Sequence, residues 1–168
     1  MIFLTTGTQL PFDRLVRAVD DWIEVAAPPC EIVAQVLPPP ENSYVPRHFK
    51  PVARLSPADY AEVFGKARLI ISHAGMGTIL TALTQGKRIC IMPRQLKYDE
   101  HRNDHQLATV ERLRDHPSLF LAHDEEELPG CLDAAMKDLA TSSGSCIDPF
   151  AASEFTNRIR DFILTGKA

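Results

Sequence analysis

The chain lacks long apolar runs, closely spaced cysteines and an excess of basic residues. A membrane-spanning helix needs roughly 20 consecutive apolar residues, and no segment approaches that length. The first residues show no signal-peptide pattern either, so we expect a cytoplasmic protein. No CxxC pair occurs among Cys30, Cys90, Cys131 and Cys146. We therefore predict reduced thiols, most of which pack in the fold, and neither a zinc site nor a disulfide framework.

Charge and length narrow the class of protein further. The 18 Lys and Arg residues are outnumbered by 22 Asp and Glu residues, which gives a formal net charge of -4. Proteins that bind nucleic acid usually carry a dense basic face, so we expect no nucleic-acid partner. A chain of 168 residues, 45% of them hydrophobic, has the size of one domain. We predict a single domain over residues 1–168, in which residues 150–168 form a C-terminal tail helix.

Short apolar runs alternate with amphipathic segments along the chain. Strands are predicted at residues 2–4, 32–36, 69–71, 89–92 and 119–121, where apolar residues run together. Helices are predicted at residues 12–23, 56–66, 78–85, 107–113, after 124, and at 154–164, where apolar spacing or cap residues indicate them. This order predicts an α/β fold with a mostly parallel sheet and helices on both faces.

Two connecting segments carry further local signals. The three prolines at 38–40 forbid continued strand pairing, so we predict an exposed, mobile loop over residues 38–51. The tail helix carries an apolar stripe that includes Phe155, Ile159 and Phe162. Packing of that stripe against the domain's own sheet is the commoner outcome, and packing on a partner is the alternative.

Three loops follow predicted strands and should meet at one edge of the sheet, where ligands of open α/β folds bind. The strongest candidate is residues 72–78, Ser-His-Ala-Gly-Met-Gly-Thr, because small residues let a ligand approach the backbone and free amides at the helix start can hold a phosphate. The other two are Gly7-Thr8-Gln9 and residues 94–106. Each also has a simpler interpretation as a turn, a solvated loop or a helix cap.

The residue spacing argues against several common chemistries. The glycines do not match the GxGxxG fingerprint, and no GK[ST] follows them as in a P-loop, so hydride transfer and ATP hydrolysis lose support. His73 and His105 have the chemistry of metal ligands or general bases, but no HxH or HExxH pattern accompanies them. No GxSxG elbow marks Ser72 as a nucleophile. We predict no metal and no cofactor.

Taken together, the three loops resemble the C-terminal domain of glycosyltransferase family 28. The resemblance runs in order along residues 1–115 and rests on residues 2–8 and 11–15, on residues 72–78, and on Pro93-Arg94, Glu100-His101 and Asp104-His105-Gln106. It is closest to free-standing members, such as the catalytic subunit of the dolichol-linked N-acetylglucosaminyltransferase and subunits of bacterial exopolysaccharide or capsule transferases. The resemblance implies a Rossmann-like domain that forms the C-terminal, nucleotide-binding half of a GT-B fold.

The resemblance also implies an activity, a partner and a site. The activity would be inverting transfer of a sugar from a UDP-sugar to a lipid-linked acceptor. A membrane-associated partner subunit would bind the acceptor, supply the general base and bring this chain peripherally to the membrane, so no catalytic residue is assigned here. The implied nucleotide-sugar site comprises Gly7 and Thr8 over the donor, Gly75, Gly77 and Thr78 at the diphosphate, His105 and Gln106 at the sugar or ribose, and also His73, Met76, Arg94 and Glu100.

The chain departs from the family pattern at one position. Many members carry a glutamate four residues after the second glycine of the loop, where it binds the ribose diol, whereas this chain has Thr81. A hydroxyl cannot give the same charge-assisted, bidentate contact, so either Glu100 or another group compensates, or ribose binding is weaker. The residues therefore leave open a non-catalytic accessory subunit that stabilises or enhances a partner transferase. A sugar-nucleotide epimerase of related fold would need a longer, two-domain chain.

Overall fold

The computed structural model describes residues 1–37, 44–142 and 144–166, which form one sheet with helices on both faces. The strands are β1 (Ile2–Thr5), β2 (Ile32–Gln35), β3 (Pro51–Val52), β4 (Leu69–His73), β5 (Arg88–Met92) and β6 (Leu119–Leu121). The helices are α1 (Asp13–Ala26), α2 (Pro57–Lys66), α3 (Met76–Thr84), α4 (His105–Leu113), α5 (Leu128–Thr141) and α6 (Ser153–Thr165), with a short 3-10 helix at Leu96–Tyr98.

The sheet is parallel throughout, in the order β3-β2-β1-β4-β5-β6. In its centre Thr5 of β1 lies beside Gln35 of β2 on one side and Ser72 of β4 on the other. The chain therefore leaves β1 in one direction and later returns on the opposite side. This makes the gap beyond the carboxyl ends of β1 and β4 the topological switch point, where ligands bind in open α/β sheets.

Side chains alternate across the strands, so each face of the sheet has its own apolar core. One core packs Ile2, Leu4, Leu69, Ile71, Cys90 and Met92 of the strands against α1 and α5. The other packs Phe3, Ile70, Ile89 and Ile91 against α2, α3 and α4. The predicted parallel sheet with helices on both faces is confirmed. Strand β3 was not predicted, because two exposed residues that begin with a proline carry no apolar pattern.

The predicted loop over residues 38–51 is anchored in its second half. Pro38, Pro39 and Pro40 lie outside the described residues. The buried carboxylate of Asp20 in α1 accepts hydrogen bonds from the Tyr44 hydroxyl at 2.6 Å and from the amides of Arg47 and His48 at 2.9 Å each. Phe49 is also buried. Residues 44–50 are therefore tied to α1 rather than free in solvent.

The tail helix α6 does not pack on the sheet. None of its residues is buried, and Phe155, Ile159 and Phe162 expose 58%, 44% and 55% of their surface. Of the two outcomes that the sequence leaves open, packing of the apolar stripe against the domain's own sheet is not observed, because the chain leaves the core after Ile147, which still packs beside α3. Among the described helices, none is both long enough and apolar enough to cross a membrane.

Candidate functional site

A polar cleft of about 320 Å³ opens at the carboxyl ends of β1, β4 and β5. The three loops that the sequence singled out all contribute to its lining, which consists of Thr6, Gly7, Thr8, Gln9, Leu10, His73, Gly75, Gly77, Thr78, Arg94, His101, His105 and Gln106. The cleft thus lies at the switch point of the sheet. Two of the predicted site residues, Met76 and Glu100, are not part of this lining.

The imidazole of His73 lies between two glycines of different loops. Gly7 has a φ of +77°, and a Cβ at that position would come within 2.9 Å of His73 Cε1. A Cβ at Gly75 would collide with the same imidazole from the other side. A side chain at either position would therefore force the His73 ring to move, whatever a ligand requires.

His73 is a neutral group at physiological pH. Burial lowers its pKa to about 4, and the nearby Arg94 and His101 act in the same direction. A neutral imidazole can donate a hydrogen bond from one ring nitrogen and accept one at the other. His73 therefore provides no positive charge with which the cleft could bind a diphosphate.

The start of α3 supplies the donors that an anion needs. Gly75 caps the helix, no side chain caps the amides of its first turn, and that turn contains no acidic residue. The first amides of a helix have no partner within the helix and lie at its positive end. Gly77 lies in this turn, and a Cβ added there would meet nothing within 4 Å. This wall of the cleft can therefore hold a phosphate close to the backbone.

Arg94 is buried and holds the loop after β1 in place through hydrogen bonds to its main chain. Only 3% of its surface is exposed, and its guanidinium donates hydrogen bonds to the carbonyl oxygens of Thr6 at 2.8 Å, Leu10 at 2.7 Å and Pro11. It also lies over the ring of Phe12, 4.6 Å from the centroid. Burial lowers its pKa to about 10, so it remains charged at neutral pH. Arg94 lines the cleft, but its donors are engaged by the main chain.

Glu100 is occupied elsewhere. Its carboxylate accepts hydrogen bonds from Nε and Nη2 of Arg14 at 2.9 and 2.8 Å and from the amide of Gln95 at 3.0 Å. The side chains of Arg14 and Glu100 are each only 10% exposed. Glu100 therefore joins α1 to the loop after β5, and the suggestion that it compensates for Thr81 in ribose binding loses its geometric basis.

The start of α4 forms the remaining wall. Gln106 is buried, and its Oε1 accepts a hydrogen bond from the amide of Arg94 at 3.0 Å. His105 is exposed, its Nδ1 contacts Oδ1 of Asn103, and its ring meets the ring of His101 edge-on with centroids 4.5 Å apart. Two histidine rings and one amide group therefore face the cleft across from α3.

Four lining residues were not among the predicted site residues, namely Thr6, Gln9, Leu10 and His101, although Gln9 belongs to a loop that the sequence singled out. Thr6 reads as the end of a buried strand and Leu10 as an apolar loop residue, so neither had a signal of its own. His101 stands inside the third motif, and this placement was the one available hint.

Within the described residues, no group of three His, Cys, Asp or Glu side chains is arranged to hold a metal ion. The prediction of metal independence stays a prediction.

Comparison with known proteins supports a transferase fold. Residues 1–162 match the glycosyltransferase family 28 C-terminal domain. No curated protein gave a significant match. Among solved structures, the chain is similar to MurG of Acinetobacter baumannii, with a TM-score of 0.62 and 20% identity over 82% of this chain and 42% of that chain.

Two further structures resemble the chain. The glycotransferase of kitacinnamycin gives a TM-score of 0.56 and 18% identity over 98% of this chain and 39% of that one. The solution structure of ALG13 gives 0.56 and 17% identity over 94% of this chain and 93% of that one. At such identities the likeness shows the fold alone, and it confirms the predicted Rossmann-like, C-terminal half of a GT-B fold. The chain spans less than half of MurG and of the kitacinnamycin glycotransferase, and nearly all of ALG13.

Proposed function

Because the chain belongs to the glycosyltransferase family 28 C-terminal domain family, we propose that it is the donor-binding subunit of a two-component inverting glycosyltransferase. It would transfer a sugar from a UDP-sugar to a lipid-linked acceptor in polysaccharide or glycan biosynthesis. One observation carries this proposal above the others. One wall of the cleft at the switch point is the start of α3, which has no side-chain cap and no acidic residue in its first turn. A Cβ added at Gly77 in that turn would meet no atom within 4 Å.

In this proposal the diphosphate of the donor lies against the start of α3. The amides of Met76, Gly77 and Thr78 donate to its oxygens, and the helix dipole favours the negative charge. The absence of a side chain at Gly77 lets the phosphate approach the backbone. As the bond between the anomeric carbon and the phosphate oxygen breaks, the same donors stabilise the charge that develops on the leaving diphosphate.

The acceptor hydroxyl attacks the anomeric carbon from the opposite face and inverts its configuration. A base must remove the hydroxyl proton. His73 is poorly suited because its pKa is about 4 and its ring is held between Gly7 and Gly75. The protein partner that binds the acceptor is then the natural source of the base.

One observation supports a partner subunit. The tail helix α6 of this chain exposes large apolar side chains, and contiguous exposed apolar surface commonly marks a protein interface. We propose a membrane-associated, acceptor-binding subunit as this partner. The chain itself would be cytoplasmic and would reach the membrane through that subunit.

An accessory, non-catalytic subunit is the second candidate. It is favoured by Thr81, which offers a hydroxyl where many family members have a ribose-binding carboxylate, and by the engagement of Glu100 with Arg14. Such a subunit would stabilise a partner transferase without binding the donor itself. The two candidates differ in whether the isolated chain binds a uridine nucleotide.

Calorimetric titration of the purified chain separates them. UDP and several UDP-sugars are the ligands, and ADP, GDP and NAD are the controls. Selective binding of uridine diphosphates is expected for a donor-binding subunit. Binding of all nucleotides alike, or of none, would contradict donor recognition by this chain and favour the accessory subunit.

The dependence on a partner has its own test. The purified chain, incubated with a UDP-sugar that it binds and with membrane lipids of its source cell, should transfer no sugar. Addition of membranes that contain the acceptor-binding subunit should restore transfer. Robust transfer by the chain alone would refute the two-component arrangement while leaving donor binding intact.

A further inference from the structure

Two buried side-chain atoms of the described residues have no hydrogen-bond partner, and both belong to the same cleft. They are Oγ1 of Thr6 and Nδ1 of His101, and both residues line the cavity beyond β1 and β4. Buried polar groups are nearly always hydrogen-bonded, because leaving them unsatisfied costs free energy. Two such atoms in one ligand-sized cleft indicate a place where a bound molecule completes the hydrogen bonding.

Thr6 is held rigidly in place for such a contact. It is 1% exposed, its amide donates to the carbonyl of Gln35 at 3.2 Å, and its carbonyl accepts from Nη2 of Arg94 at 2.8 Å. The main chain of Thr6 is therefore fixed on both sides. Its buried hydroxyl is the polar group of Thr6 that has no hydrogen-bond partner among the described residues.

His101 is held by its neighbour in the loop. Its ring packs edge-on against His105, with centroids 4.5 Å apart, and both rings line the cleft. The two unsatisfied atoms therefore come from different loops, one after β1 and one after β5. A ligand that reaches both would bridge those loops.

We propose that Thr6 and His101 form a subsite that hydrogen-bonds the hydroxyl groups of the transferred sugar. The inference rests on the proposed function, because it assigns the sugar part of the donor to residues of this chain. A threonine hydroxyl and an imidazole can each donate and accept hydrogen bonds, as sugar hydroxyls also do. Phosphate oxygens only accept, and the amide donors that suit them lie at the start of α3.

The charges around the subsite agree with a neutral ligand group. Among the described residues that line the cleft, Arg94 is the one Lys or Arg side chain, and its guanidinium donates to main-chain carbonyl oxygens. His73 is neutral because burial lowers its pKa to about 4. This wall thus offers an anion no uncommitted arginine or lysine, whereas a hydroxyl group needs none.

Calorimetry on Thr6→Val tests the subsite. UDP, UDP-glucose, UDP-N-acetylglucosamine and UDP-glucuronate are titrated into the wild-type chain, the Thr6→Val and His101→Leu variants, and the control Thr141→Val at the exposed end of α5. We expect the wild type to bind one UDP-sugar more tightly than UDP. Each cleft variant should weaken binding of that UDP-sugar about tenfold, the effect of one lost hydrogen bond, and leave binding of UDP within about twofold.

A stability measurement accompanies the titration. Valine replaces an unsatisfied buried hydroxyl with a methyl group of similar shape, so the thermal midpoint of Thr6→Val should equal or exceed that of the wild type. A folded variant with weaker sugar binding would exclude simple unfolding as the cause.

Other outcomes would overturn the inference in distinguishable ways. Equal weakening of UDP and UDP-sugar would assign Thr6 and His101 to the diphosphate or the uridine. Two results would contradict a sugar contact of Thr6 and His101. One is unchanged binding of all ligands by the two variants, and the other is a wild type that binds UDP and every UDP-sugar equally. A wild type that binds no uridine nucleotide would refute the proposed function itself, and the sugar subsite with it.

Discussion

Helices α2 and α3 begin in opposite ways, although both pack on the same face of the sheet. At the start of α2, Ser56 Oγ accepts a hydrogen bond from the amide of Asp59 at 3.1 Å, and Pro57 occupies the first turn. At the start of α3, a glycine stands in the cap position and no side chain caps the first amides. One helix start is satisfied by its own sequence, and the other is left open towards the cleft.

If the donor binds at the start of α3, as proposed, the difference marks a position where helix stability is given up for ligand binding. A side-chain cap of the kind found at Ser56 contributes about 1 kcal/mol. Helix α3 does without it at the point where a ligand would take the place of the cap. Four predictions test this contrast, starting with the one that should change a measured free energy most.

The largest effect is expected from a carboxylate at the open helix start, in the variant Gly77→Asp. An acidic side chain in a first turn stabilises a helix, so the free energy of unfolding should not fall. The same charge would repel the donor diphosphate, and UDP should bind at least about 100-fold more weakly in calorimetry. The control is Gly130→Asp, a glycine in the first turn of α5 that also has no neighbour within 4 Å of an added Cβ. Undiminished UDP binding by Gly77→Asp would contradict the proposal that the diphosphate lies at the start of α3.

The next effect concerns pH, because His73 at the end of β4, just before α3, can take up a proton, whereas the Ser56 hydroxyl before α2 does not titrate. The pKa of His73 is lowered by burial to about 4 from an ordinary 6.5. The unfolded chain therefore takes up this proton before the folded chain does, and stability falls as the pH falls through that window. The loss attributable to His73 should be about 2 kcal/mol between pH 6.5 and 4.5.

Urea unfolding at these two pH values measures that loss. The variant His73→Asn should lose about 2 kcal/mol less than the wild type over the same interval. An identical pH dependence of the two proteins would show that the ring is as accessible to protons in the folded chain as in the unfolded one.

A smaller gain is expected from Thr81→Glu, one turn beyond Gly77 on the exposed face of α3, where Thr81 Oγ1 now donates to the carbonyl of Gly77 at 2.8 Å. A carboxylate there would restore the contact with the ribose diol that the family resemblance implies. UDP should bind about tenfold more tightly, since charge-assisted bidentate contacts are the stronger hydrogen bonds. The gain should vanish with 2′-deoxy-UDP. An equal gain with both nucleotides would contradict a diol contact.

The smallest effect is expected at the closed helix start. Ser56→Ala removes the cap of α2 and should lower the free energy of unfolding by about 1 kcal/mol. The affinity for UDP should not change, because Ser56 lies outside the cleft lining. A loss of UDP affinity in this variant would mean that the two helix starts are coupled and that the contrast between them is incomplete.

Local sequence determined much of the fold and the position of the site. Apolar runs identified β1, β2, β4, β5 and β6, because buried parallel strands need continuous apolar residues. Ser56 and Pro57 marked the start of α2, since a cap depends on residues only three positions apart. The glycines of residues 72–78 marked the start of α3, and the parallel order of the strands then required the three loops to meet at one edge.

Contacts between residues distant in the chain were decided by the tertiary structure alone. No local pattern in the sequence indicates that Glu100 pairs with Arg14, which lies 86 residues away. Likewise, no local pattern indicates that Arg94 donates hydrogen bonds to the carbonyls of Thr6 and Leu10. The exposure of α6 likewise depends on where the chain leaves the core, which a helical periodicity does not specify. A sequence pattern fixes what each segment can bury or bond, whereas the folded arrangement selects which distant partner actually satisfies a charged or polar side chain.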